Sequence, residues 1–416
     1  MNYKATEDFA LSLDIEDELG EYRKQFHVPL QKNGKEHIYF CGNSLGLQPK
    51  KTKEYIDQEI TDWANLGVEG HLYAKNPWLP YHEFLSQSYA NLLGAKTTEV
   101  VAMNTLTVNL HLMMVSFYRP ISERYKIVIE EDAFPSDIYA VESQIKYHGF
   151  DVEKALIKLR PRKGESAVRT EDIIDVFDNE GDSISLVMLG GVNYYTGQVF
   201  DFKSITDFAH NKGIKVGFDL AHAVGNIKLE LHKWDVDFAV WCSYKYLNSG
   251  PGSVGGVFVH KKHHDSDLPR FCGWWGHNKS DRFDMPDSFN PIKTAEGWQL
   301  SNPPILSLAA IRSSLSIFDE VGMEKLVFKS KKLNSYLSFL LDTIQTERIE
   351  IITPKNSGCQ ISIRVNNGNK DLFDKITFEG VIADWREPDV IRIAPVPLYN
   401  SFKDVFDFYE ILKRLL

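Results

Sequence analysis

Cysteine is scarce in this 416-residue chain: Cys41, Cys242, Cys272 and Cys359 lie far apart, with no CxxC pair. That excludes a disulfide framework and fits a reducing compartment. Positive charge is in deficit too. Lys and Arg number 47 against 57 Asp and Glu, a formal net charge of −10, the wrong sign for a protein that binds by neutralising phosphates, so no nucleic-acid partner is expected. Long apolar runs are lacking: Leu106 to Tyr118 is broken by Asn109 and His111 and is too short to cross a bilayer. The opening MNYKATEDFALSLDIEDELGEY is acidic and interrupted by charge, unlike an apolar secretion signal or an Arg-rich transit sequence. Together these predict a cytoplasmic protein with no membrane partner. Repeats and low-complexity segments are missing, as is the GxSxG of serine hydrolases. His82-Glu83 lacks the second His of HExxH, and His263-His264 sits among Lys and Asp, so no metal is expected.

What the chain has is apolar mass. Hydrophobic residues make up 43% and aromatics 12%, enough to offset the ordering entropy of a large core and a smaller companion domain. Lys51 to Leu66 and Phe84 to Leu93 carry helical spacing, the second closed by Gly94. From residue 100 short β-rich runs alternate with helix-length segments: Val100–Met103, Lys126–Glu130, Ser183–Leu189, Lys215–Leu220, Asp237–Ser243 and Gly256–His260. Such alternation predicts an α/β fold around a largely parallel sheet covered on both faces, with ligands at the C-terminal ends of its strands. After Ile305–Glu320 the order becomes helix (Met323–Leu341), strands (Ile349–Thr353, Cys359–Val365), a further β-rich piece to Ile393, and a last helix (Phe402–Leu415). This predicts residues 46–315 as a large domain, 316–416 as a small α+β domain, and 1–45 as a segment packing across both.

The most informative stretch holds KVGFDLAHAVGN and then DFAVWCSYKYLNSGPGSVGGVFVH. Asp219 ends one apolar run, His222 follows three residues on, and Lys245 ends the next run, so both run ends face one crevice. An amine that forms an imine and a carboxylate that keeps a pyridine nitrogen protonated are what pyridoxal phosphate requires. Gly250 to Gly255 formally matches GxGxxG, but a strand, GGVFVH, follows where a dinucleotide site needs a helix. At Asn104-Thr105-Leu106-Thr107 a strand gives way to a helix whose positive end suits either a phosphate or a simple N-cap. Phe134-Pro135-Ser136-Asp137 follows KIVIEED and puts an aromatic at the same edge. Arg386 and Arg392 flank an apolar run, and Arg392 within IRIAP needs an anionic partner if buried, such as a substrate carboxylate.

These residues resemble the kynureninase family of pyridoxal-phosphate enzymes, which have the fold-type-I (aspartate aminotransferase) architecture. The likeness runs through FCGNSLGLQPK, GVEGHLYAKNPW, NTLTVNL, EEDAFPSDIYA, GGVNYYTGQVFD, FDLAHAVGN, WCSYKYLNSGPG, GWWGH, QLSNPPI and IRIAPVPLYNSF, nearly the whole chain. It implies a large domain with a mainly parallel seven-stranded sheet and pyridoxal 5'-phosphate as cofactor. Lys245 would be the Schiff-base lysine, Asp219 the partner of the pyridine nitrogen, and His222 its neighbour. Phe134 would stack on the ring; Leu106, Thr107, Asp137 and Tyr244 would complete the cofactor site, with Trp274 and Asn302 from a neighbouring subunit. Arg392 would hold the substrate's α-carboxylate, and His71, Ser301 and Asn302 would face its aromatic ring. Tyr244 is the candidate proton donor to Cβ. The implied reaction is hydrolytic Cβ–Cγ cleavage of L-kynurenine or 3-hydroxy-L-kynurenine to anthranilate or 3-hydroxyanthranilate and L-alanine. A homodimer with shared sites follows, serving tryptophan breakdown or NAD biosynthesis. One departure is Gly190, where the family often has Ser. Two alternatives stand beside this reading. One is a cysteine desulfurase or selenocysteine lyase of the same fold, with Cys359 as its thiol, although CQISIRV reads as a buried strand. The other is an inactive binding protein.

Overall fold

A computed structural model describes residues 2–366, 368 and 370–416. Its larger sheet contains β1 (Val100–Ala102), β2 (Lys126–Glu130), β3 (Leu156–Leu159), β4 (Ile184–Gly190), β5 (Lys215–Asp219), β6 (Phe238–Trp241) and β7 (Gly256–Val259). They lie in the order β1-β7-β6-β5-β4-β2-β3. Neighbours are parallel except β7, which runs antiparallel to both β1 and β6.

Both faces are covered, which is why these strands are apolar at successive positions instead of alternating with polar ones. Side chains still alternate between faces. Val128, Val187 and Leu189 meet Ile173 and Phe177 of helix Thr170–Glu180 and Ile205 and Ala209 of helix Phe202–Asn211. Ile127, Ile129, Leu186 and Met188 point the other way, to Leu110, Met113 and Phe117 of helix Leu106–Phe117 and Val141 and Ile145 of helix Pro135–Tyr147. Each such side chain contributes about 1.5–3 kcal/mol by burial, so the sheet is a rigid platform for whatever stands at its rim.

The fold class is the one expected, with seven strands. Six were legible as apolar runs; β3 was not, because LIKL is a half-buried edge strand with Lys158 exposed. The glycine-rich stretch leads into β7 and no helix follows it directly. Gly250 and Gly252, at φ 91° and 67°, turn the chain there.

A second, antiparallel sheet is formed by β8 (Ile349–Ile351), β9 (Ile361–Val365), β10 (Asp384–Arg386) and β11 (Val390–Ile393) in the order β8-β9-β11-β10. Helices Met323–Asp342 and Phe402–Leu415 pack on it through Leu333, Leu337, Leu340, Val405 and Phe408. Ser401 and Asp404 form a capping box at the start of the last helix. Helix Ile305–Val321 buries Leu308, Ile311 and Phe318 in the core of the larger sheet. Gly322, at φ 79°, then turns the chain toward the smaller one. Near the N-terminus, Ala10 and Leu13 join the smaller core while Leu19, Phe26 and Leu47 join the larger. Among the described residues no helix is long and apolar enough to cross a membrane.

Candidate active site

The C-terminal ends of β2, β4 and β5 carry Glu130, Gly190 and Asp219, and the loop after β6 carries Tyr244 and Lys245. All five line one cavity of about 180 Å³ together with Leu106, Thr107, Phe134, Ser136, Asp137, Val192, Tyr194, Ala221 and His222. Residues 106 to 245 meet because parallel strands end on the same side.

Half-buried Lys245 sets its Nζ 3.0 Å from His222 Nε2, 5.8 Å from the Phe134 ring centre and 6.0 Å from that of Tyr244. His222 is held neutral far below its ordinary value, first by burial and then by Lys245, Arg392 and Arg386. The lysine ammonium therefore donates to His222 Nε2. Asp219 accepts the Ala221 N–H at 2.7 Å and lies against Asp137. Burial lifts both carboxyls; Asp137 is lifted further by Asp219, while Lys245 favours the charged form of Asp219. Tyr244 keeps its phenol proton well above the usual range through burial and then Cys242.

Two helices begin at the cavity, one of them carrying Asp137 in its first turn. Thr107, in the first turn of Leu106–Phe117, meets Ser136, in the first turn of Pro135–Tyr147, with hydroxyl oxygens 2.8 Å apart. Neither N-cap residue, Thr105 or Phe134, makes a side-chain cap hydrogen bond. The start of Leu106–Phe117, with the Ser136 hydroxyl of the second helix beside it, suits an anion such as phosphate.

The residues present fit pyridoxal phosphate. His222 Nδ1 and Asp137 Oδ1 are buried without a partner, which costs about 1–3 kcal/mol each unless a bound group satisfies them. At about 30 Å³ per water the cavity has room for about six, on the order of one substituted ring. Amine, carboxylate pair, aromatic face and anion seat are the four features that cofactor needs.

Arg392, on β11 and 1% exposed, lies behind the cavity. It donates to the Tyr194 carbonyl at 2.6 Å and pairs closely with Asp384. Arg386 reaches the same carboxylate at 2.9 Å. The other expected residues stand apart from this chain's cavity. His71 bonds the Val68 carbonyl at 2.9 Å and packs edge-on to Trp78. Trp274 is 42% exposed, and Ser301 and Asn302 are exposed. Four residues escaped the sequence reading: Glu130, Ser136, Tyr194 and Asp384. Glu130 ends the apolar run KIVIE as Asp219 ends KVGFD, a signal applied to one and missed at the other. Cys359 is 1% exposed, and burial pushes its thiol up to about 12, the opposite of an activated nucleophile.

Residues 326–412 match the model of the kynureninase C-terminal domain. A kynureninase of Flavobacterium psychrophilum is 55% identical over 100% of this chain and 99% of its own length. One of Nematostella vectensis is 47% identical over 97% and 93%. Among solved structures, a cysteine desulfurase of Thermococcus onnurineus superposes with a TM-score of 0.78 at 17% identity, covering 95% of this chain and 97% of that one. A cysteine desulfurase of Escherichia coli gives 0.76 at 16%, covering 95% and 97%; at such identity the likeness is one of fold, the pyridoxal-phosphate fold of type I. Identity this high along the whole length settles the relationship: the chain belongs to the kynureninase family.

Proposed function

We propose that the protein is a pyridoxal-phosphate-dependent hydrolase that cleaves the Cβ–Cγ bond of L-kynurenine, or of its 3-hydroxy form, to give the anthranilate and L-alanine. The observation that carries this is the convergence of Lys245, the Asp137–Asp219 pair and two helix N-termini on one cavity, in a chain 55% identical to a kynureninase. Buried, high-pKa Cys359 speaks against the desulfurase alternative.

When bound, the cofactor supplies an electron-accepting ring that stabilises negative charge at the substrate's α-carbon. The chain's own groups do the rest. Asp219, its charge favoured by Lys245 and Ala221 N–H, keeps the ring nitrogen protonated. Phe134 covers a ring face, and Leu106 and Thr107 present helix N–H groups and a hydroxyl to the phosphate. Lys245 would hold the cofactor and, as a free amine, would move the substrate's α-proton. His222, neutral, accepts from Lys245 Nζ and keeps that amine aimed at the cavity. Water adds to the γ-carbonyl; as the Cβ–Cγ bond then breaks, Tyr244 delivers its phenol proton to Cβ and regains one from the hydrated carbonyl as that becomes the carboxyl. Arg392 turns from Asp384 to the substrate's carboxylate, with Arg386 left to hold Asp384.

His71, Trp274, Ser301 and Asn302 serve the site of a second copy, so the working form is a homodimer. Exposed Trp274, Phe283 and Met285 support an apolar contact there. Residues 46–315 form the cofactor domain and 316–416 the small domain, with 1–45 bridging them; four unpaired cysteines agree with the cytoplasm.

The test is an absorbance scan of the pure protein with pyridoxal phosphate and either substrate. Loss of the aryl-ketone band with equimolar alanine is expected; a coloured protein that leaves both substrates intact would overturn the assignment.

A further inference from the structure

Three carboxyls meet on one wall of the Lys245 cavity, and the function above uses two of them. The third is Glu130, the last residue of β2, 4% exposed and on the cavity lining. Its hydrogen bonds come from backbone: the Gly190 N–H lies 3.1 Å from Oε1 and 3.3 Å from Oε2. The seat is tight. A Cβ placed on Gly190 would come within 2.9 Å of Glu130 Oε1 and 3.4 Å of the Val192 carbonyl, so the carboxyl occupies the space any larger residue would claim.

The groups around it are mostly acidic. Asp219 on β5 and Asp132 in the turn after β2 both raise its proton affinity. Asp137, on the helix that follows, feels Glu130 and Lys245 together. On the β3 side Arg160 is taken up by Glu131 at 2.7 Å, which leaves Lys245 as the cation facing the three carboxyls. Burial is the leading cause that lifts Glu130 to about 7, so it changes charge in the neutral range.

We propose that Glu130, seated on the bare backbone of Gly190, is a positioning residue for the cofactor site: it acts through Asp137 and Asp219, and its ionisation sets the charge that pair holds toward the ring nitrogen and Lys245. This rests on the reading of the cavity as a pyridoxal-phosphate site. A merely structural Glu130 would leave the cofactor's protonation untouched.

The experiment titrates the visible band of bound pyridoxal phosphate with pH in wild type, Glu130→Gln and Gly190→Ala, alongside melting of each protein without cofactor. The wild-type band should show a component centred near pH 7, lost in Glu130→Gln. The midpoint that remains should fall by about one pH unit, the effect of one charge within about 12 Å at an effective dielectric constant of about 20. Gly190→Ala, by pushing the carboxyl off its seat, should lose the same component. Both variants binding the cofactor and titrating as wild type would overturn the role of Glu130 and leave the cofactor site standing. A wild-type protein that takes up no pyridoxal phosphate would overturn both. If Glu130→Gln does not fold, Gly190→Ala decides alone.

Discussion

Asp219→Asn isolates the charge at the heart of the site. The asparagine keeps the shape, and its amide oxygen can still accept the Ala221 N–H now made at 2.7 Å. What goes is one negative charge in a buried wall. A unit charge 4–6 Å away at an effective dielectric constant of about 20 is worth about 3–4 kcal/mol, so the ring nitrogen should hold its proton about two to three pK units less tightly. Turnover at neutral pH should fall about 100-fold or more, since each pK unit of lost protonation is a tenfold loss of the competent form. The fold should not suffer. Asp219 lies buried against Asp137 with Glu130 nearby, and burial disfavours its charge, so removing that charge lets the cofactor-free protein melt at the same temperature or higher. The assay is loss of the aryl-ketone band under saturating cofactor, paired with thermal melting. Activity within a few-fold of wild type, or loss of activity that merely tracks loss of fold, would refute the reasoning.

Lys245→Ala should abolish turnover and the bound cofactor's visible band while the protein stays folded; near-normal turnover would remove Lys245 from its role. Arg392→Lys keeps the buried charge but loses the fork that grips a carboxylate, so KM should rise about tenfold or more, each lost charged hydrogen bond being worth about 1.5–3 kcal/mol; steady-state kinetics showing an unchanged KM would detach Arg392 from the substrate. The contribution of Glu130 to the stability of the cofactor-free protein should fall as pH rises from 4.5 to about 7, because folded Glu130 keeps its proton to about 7 against an ordinary 4.5, whereas His222, held neutral, works in the opposite sense. Glu130→Gln should remove about 3 kcal/mol of that slope, readable by urea unfolding at several pH values. Mixing Lys245→Ala with Asn302→Ala chains should restore about a quarter of the sites if subunits share them; no recovery after subunit exchange would place all the machinery in one chain.

Much of the fold was legible because strands buried on both faces betray themselves as unbroken apolar runs, and those runs end where the chemistry stands. ISLVML and DFAVWC could hardly be read otherwise. LIKL was lost because an edge strand needs no such run. In the site, Asp219, Lys245 and Phe134 were found by their place after a strand, and Thr107 by its place at a helix start. Ser136 and Tyr194 matter through contacts that need three dimensions: a hydroxyl pairing between two helices, and a carbonyl that receives Arg392 from the other sheet. Asp384 was hidden for the same reason, since the register of β10 on β11 sets it directly opposite Arg392.

The reversed strand β7 has a mechanical consequence. Because it runs back from the rim, the loop from Lys245 to Gly255 stays on that rim, where the Gly255 N–H bonds the Asn104 carbonyl at 2.7 Å and the Met103 N–H bonds the Gly255 carbonyl at 3.2 Å. Lys245, the proposed tether of the cofactor, and the helix start proposed to cradle its anionic end are thus lashed together by one short span of chain. An insertion there would displace both at once, so the reach between amine and anion seat is a single built-in length that side-chain substitutions elsewhere leave alone.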